Sequence, residues 1–250
     1  MLSVSDLQLF GSTVMPEDDV TTNIGGAINE TTLVSFTPLD AVSTLEVVSD
    51  DVADNTQQIT VTGRAADGTL ISDTVALNGT TPVAITGSFK TLLKAILDGA
   101  AAGNVTLRKT GDAGDLMIFT PGVLTVRRPF INAAAEAAGG ASREYHEKVF
   151  YKNGSAINAL LTAIVELVDD QGGTVTFGLE AAQNGSGDNG ANNRLTAPAA
   201  ITFDGTSKAV PGTDLATASA IGVWFKLTLA AGAAAGNGSF TPKISGATAA

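Results

Sequence analysis

The apolar and polar positions of this chain alternate in short, strand-like stretches. Gln58–Arg64 sets Ile59, Val61 and Gly63 against Thr60, Thr62 and Arg64, the period-two pattern of a half-buried strand. Asp67-Gly68 supplies a hairpin turn of the kind that needs positive φ, residues 70–77 return as the partner strand, and Asn78-Gly79 marks the next turn. Apolar runs at 33–36, 45–48, 105–109, 116–119 and 123–128 complete a first set of predicted strands. A second set falls at 145–152, 160–168, 174–180, 201–203, 221–229 and 239–245. Residues 160–168 are apolar almost throughout, which suits a central strand and, less well, a helix.

One stretch has a different period. In 88–98, Phe89, Leu92, Leu93, Ile96 and Leu97 fall at i, i+3, i+4, i+7 and i+8, with Ser88 placed to cap the start and Gly99 the end. This spacing predicts a helix. The competing reading is one helical turn running into a strand at 93–97.

Five Asn-Gly and three Asp-Gly steps suit hairpin connections. The expected fold class is therefore all-β and mainly antiparallel, with at most one or two short helices, built as β-sandwich or barrel-like modules. Residues 1–30 are broken by Pro16-Glu17-Asp18-Asp19 and Asn23-Ile24-Gly25-Gly26 and read as an extended N-terminal arm with few partners in its own chain. The expected organisation is that arm (1–30), a first β-module (31–130), an Ala-rich linker or short helix (131–143) and a second β-module (144–250). The sequence Gly-Ala-Ala-Ala-Gly-Asn occurs at 99–104 and again at 232–237, each copy between an apolar run and a strand-like stretch. That repetition suggests two modules of related build.

Composition narrows the function. Only 16% of residues are charged, against 44% hydrophobic, so the surface must be largely neutral Thr, Ser, Asn and Gly. The net charge is −11, and residues 1–130 carry 15 acids against 7 bases. Phosphate neutralisation needs clustered Lys and Arg, and Arg127-Arg128 is the nearest approach to one, so no nucleic-acid partner is expected. There is no cysteine, which removes disulfides, thiol catalysis and thiolate metal sites. The start, Met-Leu-Ser-Val-Ser-Asp, does not resemble an export leader, and no apolar run reaches membrane-helix length. Synthesis in a cytoplasm and no membrane contact are the expectations.

Candidate chemistry is sparse. His146 is the single histidine, so any Ser-His-Asp triad would have to use it; its setting predicts a half-exposed strand residue instead. Gly185-Ser-Gly-Asp-Asn-Gly190 matches G-x-G-x-x-G, but Ala-Asn-Asn-Arg-Leu-Thr-Ala-Pro follows it, a poor helix start, and a dinucleotide fingerprint needs a helix opening there. Residues 183–194 therefore read as a long, flexible, exposed loop. Three acidic clusters, Glu17-Asp18-Asp19, Asp50-Asp51 with Asp54, and Asp169-Asp170, read as solvated turn carboxylates. The second is the best calcium candidate, without the spacing or terminal Glu of an EF-hand. One Trp and two Tyr leave little for stacking sugars beside paired carboxylates. Trp224, in the longest strand of the second module, reads as core rather than interface. No catalytic, cofactor-binding or metal-binding residues are assigned, and no cofactor is expected.

Several segments together resemble virion proteins of tailed bacteriophages, above all head decoration or cement proteins. They are Asn23-Ile-Gly-Gly-Ala-Ile28; Thr62-Gly-Arg-Ala-Ala-Asp-Gly-Thr-Leu-Ile-Ser-Asp-Thr-Val-Ala-Leu-Asn-Gly79; Tyr145-His-Glu-Lys-Val-Phe-Tyr-Lys-Asn153; Asn193-Arg-Leu-Thr-Ala-Pro198; and the Trp224 strand with its following turn. The resemblance spans most of the chain and is one of style. It implies a non-enzymatic structural protein made in the bacterial host cytoplasm and placed on the capsid exterior of the virion. The implied partner is the major capsid protein lattice, with self-association as a homotrimer and the arm against a neighbour. A tail or baseplate adaptor, or a host-surface glycan-binding virion protein, is the alternative.

Overall fold

The computed structural model describes residues 2–35, 37–170, 172–234 and 238–248. Among these, strands dominate, one 3-10 turn spans Val4–Asp6, and no α-helix is present. Nearly all strand pairings are antiparallel, and no sheet closes into a barrel. The chain is all-β, as its alternation predicts. It divides into two compact units, one of Glu30–Pro129 and one of Met1–Asn29 with Phe130–Ala250. The chain thus starts and ends in the same unit.

The unit of Glu30–Pro129 is a two-sheet sandwich. One sheet orders the end of β2 (Gly25–Val34), then β10 (Thr125–Arg127), β7 (Thr91–Leu97), β4 (Gln58–Arg64) and β5 (Leu70–Ala76). The other orders β6 (Val83–Phe89), β3 (Ser43–Ser49), β8 (Val105–Lys109) and β9 (Asp115–Phe119). Leu45, Val47, Ile59, Val61, Leu107 and Phe119 are among the side chains buried between them. Each such side chain contributes about 1.5–3 kcal/mol on leaving water.

The helix predicted over 88–98 is not formed. Those residues end β6 and make β7, which is paired on both edges, to β4 through Ile59↔Leu97 and to β10 through Thr125↔Ile96. Leu92, Leu93, Ala95 and Leu97 are buried while Ile96 is exposed. The pairing with β4 skips Leu93 between Thr62↔Lys94 and Gly63↔Leu92, so this bulge breaks the period of two, and tertiary pairing overrides the local pattern. Gly63 permits the turn between β6 and β7. A Cβ there would collide with the Thr91 carbonyl and sit 2.7 Å from Phe89 Cδ1.

The first Gly-Ala-Ala-Ala-Gly-Asn copy joins β7 to β8 and meets the second acidic cluster. Asp54, fully buried, accepts from Ser49 Oγ at 2.6 Å and from the N–H groups of Ala102 at 2.7 Å and Gly103 at 3.1 Å. Asp50 accepts from Asn104 N at 2.7 Å and Nδ2 at 2.8 Å. Burial opposes ionisation of Asp54, but the three hydrogen bonds outweigh it and hold its carboxyl below the ordinary value. These carboxylates, expected as solvated or calcium-binding, serve a turn. The second copy lies between β15 (Ala220–Leu229) and β16 (Thr241–Thr248), where the Gly232 N–H donates to the Glu136 carbonyl at 2.8 Å. Its residues 235–237, like Phe36 at the end of one predicted strand, lie outside the described residues.

The other unit holds a sheet ordered β13 (Val175–Gln183), β15, β11 (Arg143–Asn153), β1 (Leu7–Val14) and the start of β2. A three-stranded sheet orders β14 (Lys208–Ala209), β12 (Leu160–Asp169) and β16. Lys208 lies over the Phe177 ring at 5.6 Å, and Phe240 meets the Phe225 ring edge-on at 5.0 Å. Residues 1–29 do not form an arm lacking partners within the chain: β1 pairs with β11 from Leu7↔Asn153 to Gly11↔Val149. The Ala-rich stretch after Asn132 is irregular up to a turn at 138–139 and forms no helix.

Replacing Asp54 with Ala leaves the N–H groups of Ala102 and Gly103 without their acceptor. The expected loss is about 3 kcal/mol of unfolding free energy by chemical denaturation; a loss under about 0.5 kcal/mol would show that the turn does not need the carboxylate.

Candidate functional site

The densest group of buried ionisable side chains lies on one face of β11 and its neighbours. Alternation along β11 sends Tyr145, Glu147, Val149 and Tyr151 to one face and His146, Lys148 and Phe150 to the other, and all seven are buried. Register places His146 opposite Lys226 and Lys148 opposite Trp224 on β15, with Thr176 and Gly178 of β13 beyond them.

Lys148 is fully buried and ion-paired to Glu180 Oε1 at 2.6 Å. Its ammonium also donates to the carbonyls of Gly26 at 2.9 Å, Gly187 at 2.9 Å and Gly185 at 3.3 Å, and lies 4.8 Å from the Phe150 ring centroid. Burial pushes the Lys148 pKa down, and the Glu180 carboxylate partly offsets this. Glycines make the room. A Cβ on Gly222 would stand 2.5 Å from Glu180 Oε2, one on Gly185 would collide with that atom, and one on Gly25 would stand 2.9 Å from Trp224 Cη2. Gly25 and Gly26 also adopt φ of +90° and +83°, open to glycine at little cost.

This arrangement settles the G-x-G-x-x-G match. A dinucleotide fingerprint turns N–H groups toward phosphate. Here Gly185 and Gly187 turn carbonyls toward a cation of the protein itself. The loop expected to be exposed is in part a lid: Ala191 and Arg194 are buried. Its residues 191–194 run between the start of β2 and β11, with Ile24 N–H donating to the Ala191 carbonyl at 3.3 Å and His146 N–H to the Arg194 carbonyl at 2.7 Å. Residues 195–204 then cross the face as a strap. Ile201 and Phe203 pack with Ile24, Ala191 and Trp224, and Asp204 pairs its backbone with Phe177 on the far edge. The strand predicted at 201–203 is this strap.

His146, expected half-exposed, is buried beneath it, its ring 5.3 Å from that of Phe203. Burial lowers its pKa. Both His146 ring nitrogens, Thr176 Oγ1, Glu180 Oε2 and Trp224 Nε1 have no hydrogen-bond partner among the described residues.

The first acidic cluster is also engaged. Asp18 caps the N–H groups of Val20 at 2.8 Å and Thr21 at 2.7 Å. Asp19 bridges Arg194 at 2.6 Å and Arg143 at 2.8 Å. Arg194 donates onward to the carbonyls of Ile131 at 2.7 Å and Asn132 at 3.2 Å and lies 4.7 Å from the Tyr145 ring centroid. The Tyr145 hydroxyl closes the group by donating to the Ala134 carbonyl at 2.8 Å. Among the described residues, no three His, Cys, Asp or Glu side chains converge as metal ligands. No protein-family model matches the chain, and no curated protein matches it.

Lys148 and Glu180 escaped the sequence reading, because a lone lysine in a strand reads as solvent-facing. Lys148→Ala leaves the Glu180 carboxylate buried and unpaired, for an expected loss of about 3–5 kcal/mol. Lys148→Met with Glu180→Leu should recover most of that loss in denaturant titrations; equal destabilisation by the single and double changes would contradict the pairing.

Proposed function

We propose that the protein is a non-enzymatic structural component of a phage-type virion, a decoration protein that docks on the assembled capsid exterior as a homotrimer. One observation carries this reading: large apolar side chains are displayed on loops held rigid by side-chain caps. In the unit containing both chain ends, Val20 is 80% exposed beside the Asp18 cap. Ile157 is 84% exposed, and Ser155 Oγ accepts its N–H at 3.4 Å and that of Asn158 at 3.1 Å. In the unit of Glu30–Pro129, Val52 is 74% exposed between Asp51, which caps Ala53 at 2.8 Å, and the buried Asp54. Apolar groups on rigid supports lose little entropy on docking.

The internally paired charges fit the same reading. Lys148, Glu180, Asp19, Arg194 and Asp54 all spend their interactions within the chain, as scaffolding does. Docking to the assembled shell alone stabilises that shell by mass action, and many copies add avidity.

The test is co-sedimentation with mature capsids, followed by their thermal rupture. The wild-type protein should bind and raise the rupture temperature, and light scattering should give three times the chain mass. Val20→Asp with Ile157→Asp should weaken binding at least about tenfold with the fold intact, two buried-apolar contacts being worth over 1.4 kcal/mol. Absence from heads, or immunolabelling on the tail, would favour the adaptor alternative instead.

A further inference from the structure

We propose that residues 195–204 are an acid-released strap, opened when the imidazole of His146 beneath it takes up a proton. The strap is pinned at its ends, by the Arg194 carbonyl on His146 N–H and by the Asp204–Phe177 backbone pair. Between these points Leu195 and Thr196 are tied to Asn193 and Ala199 to Asn189, while the hold over the ring itself is apolar, through Ile201 and Phe203 on Trp224 and Phe203 on the His146 ring. A second proton on the imidazole gives two N–H donors, and neither ring nitrogen has a partner now.

The groups around the ring do not welcome that charge. On β11, Glu144 and Lys148 flank it on the same face. Glu144 attracts the imidazolium but is already paired with Lys226 at 2.8 Å. On β15, Lys226 stands directly opposite and opposes protonation, with its ammonium 5.8 Å from the Phe203 ring centroid. β13 presents the neutral Thr176 in the same row. From the lid, Arg194 contributes its carbonyl, while its guanidinium is held by Asp19; Asp204, next to Phe203, is paired with Lys208 at 2.7 Å. Moving the middle of the strap lets water reach the ring, at the cost of these apolar contacts and of the hydrogen bond from Ala199 N–H to the Asn189 carbonyl at 2.6 Å.

The sign follows from burial. The folded imidazole binds its proton below the ordinary histidine value of about 6.5. The closed form is therefore at full strength above that value and is progressively lost as pH falls below it, because the open form binds more protons.

One His and one Trp make the measurement clean. Lowering the pH below about 6.5 should shift the Trp224 emission maximum to the red with a one-proton midpoint, while far-UV circular dichroism keeps its strand signal. The single imidazole Cε1–H resonance should titrate with the same midpoint. His146→Phe, which keeps a ring against Phe203, should abolish the shift. Phe203→Ala, which loosens the strap, should move the midpoint up toward the ordinary value, and it serves alone if His146→Phe does not fold. A constant emission maximum while the imidazole titrates, a shift retained in His146→Phe, an unmoved midpoint in Phe203→Ala, or loss of strand signal at that midpoint would each overturn the strap.

Discussion

The ammonium of Lys148 sits in the middle of a sheet, on a face covered by the chain's own loops, and must be satisfied there. Desolvating such a group costs several kcal/mol, and one carboxylate does not repay that cost unless the remaining donors also find acceptors. Glu180 supplies the countercharge, and three glycine carbonyls supply the rest. This requirement reaches far along the chain. It holds the loop at 185–187 against the sheet, brings the start of β2 within reach, and excludes a Cβ at Gly25, Gly185 and Gly222. Trp224 lies in the space that Gly25 leaves, and the Glu180 carboxylate in the space left by Gly185 and Gly222.

The same device recurs with the charges reversed. Asp54 and Asp50 collect backbone N–H groups of the turn between β7 and β8. Asp19 gathers Arg143 and Arg194, and Arg194 reaches on to two carbonyls of the stretch after Phe130. The chain has no cysteine and few charges, so its long connections are held by ions with several partners each, Lys148, Asp54 and Arg194 buried, Asp19 half-buried and Asp50 exposed. A surface ion pair contributes about 0–1 kcal/mol. A buried ion shared in this way matters more, because removing it leaves several buried partners unsatisfied at once.

What could be read from the sequence was local. β4 and β8 match their predicted bounds because alternation and turn residues define them without help from the rest of the chain. β7 was ambiguous because a bulge at Leu93 breaks its period of two, leaving apolar spacing that a helix would also satisfy. β1 was missed because its identity comes from pairing with β11, more than 130 residues away in sequence. The site was the least legible part. Lys148 in a strand looks like a solvent-facing residue, and its burial depends on glycines at 25, 185 and 222 that form no motif together. The G-x-G-x-x-G spacing was visible, but the direction of its carbonyls was not.

Placing ions with several partners each in most of these connections has a consequence for how the fold yields. A connection held by an ion with several partners cannot open in part, because moving any partner leaves a charge exposed to low dielectric. The lid at 185–194 and the turn at 101–104 are of that kind. The strap at 195–204 is not, since its middle rests on aromatic and aliphatic contact over a ring with two unpaired nitrogens. Local opening draws on the segments with the least to lose. The strap therefore opens at lower free energy than the segments on either side of it, and the unsatisfied polar atoms gathered beneath it gain hydration when it does.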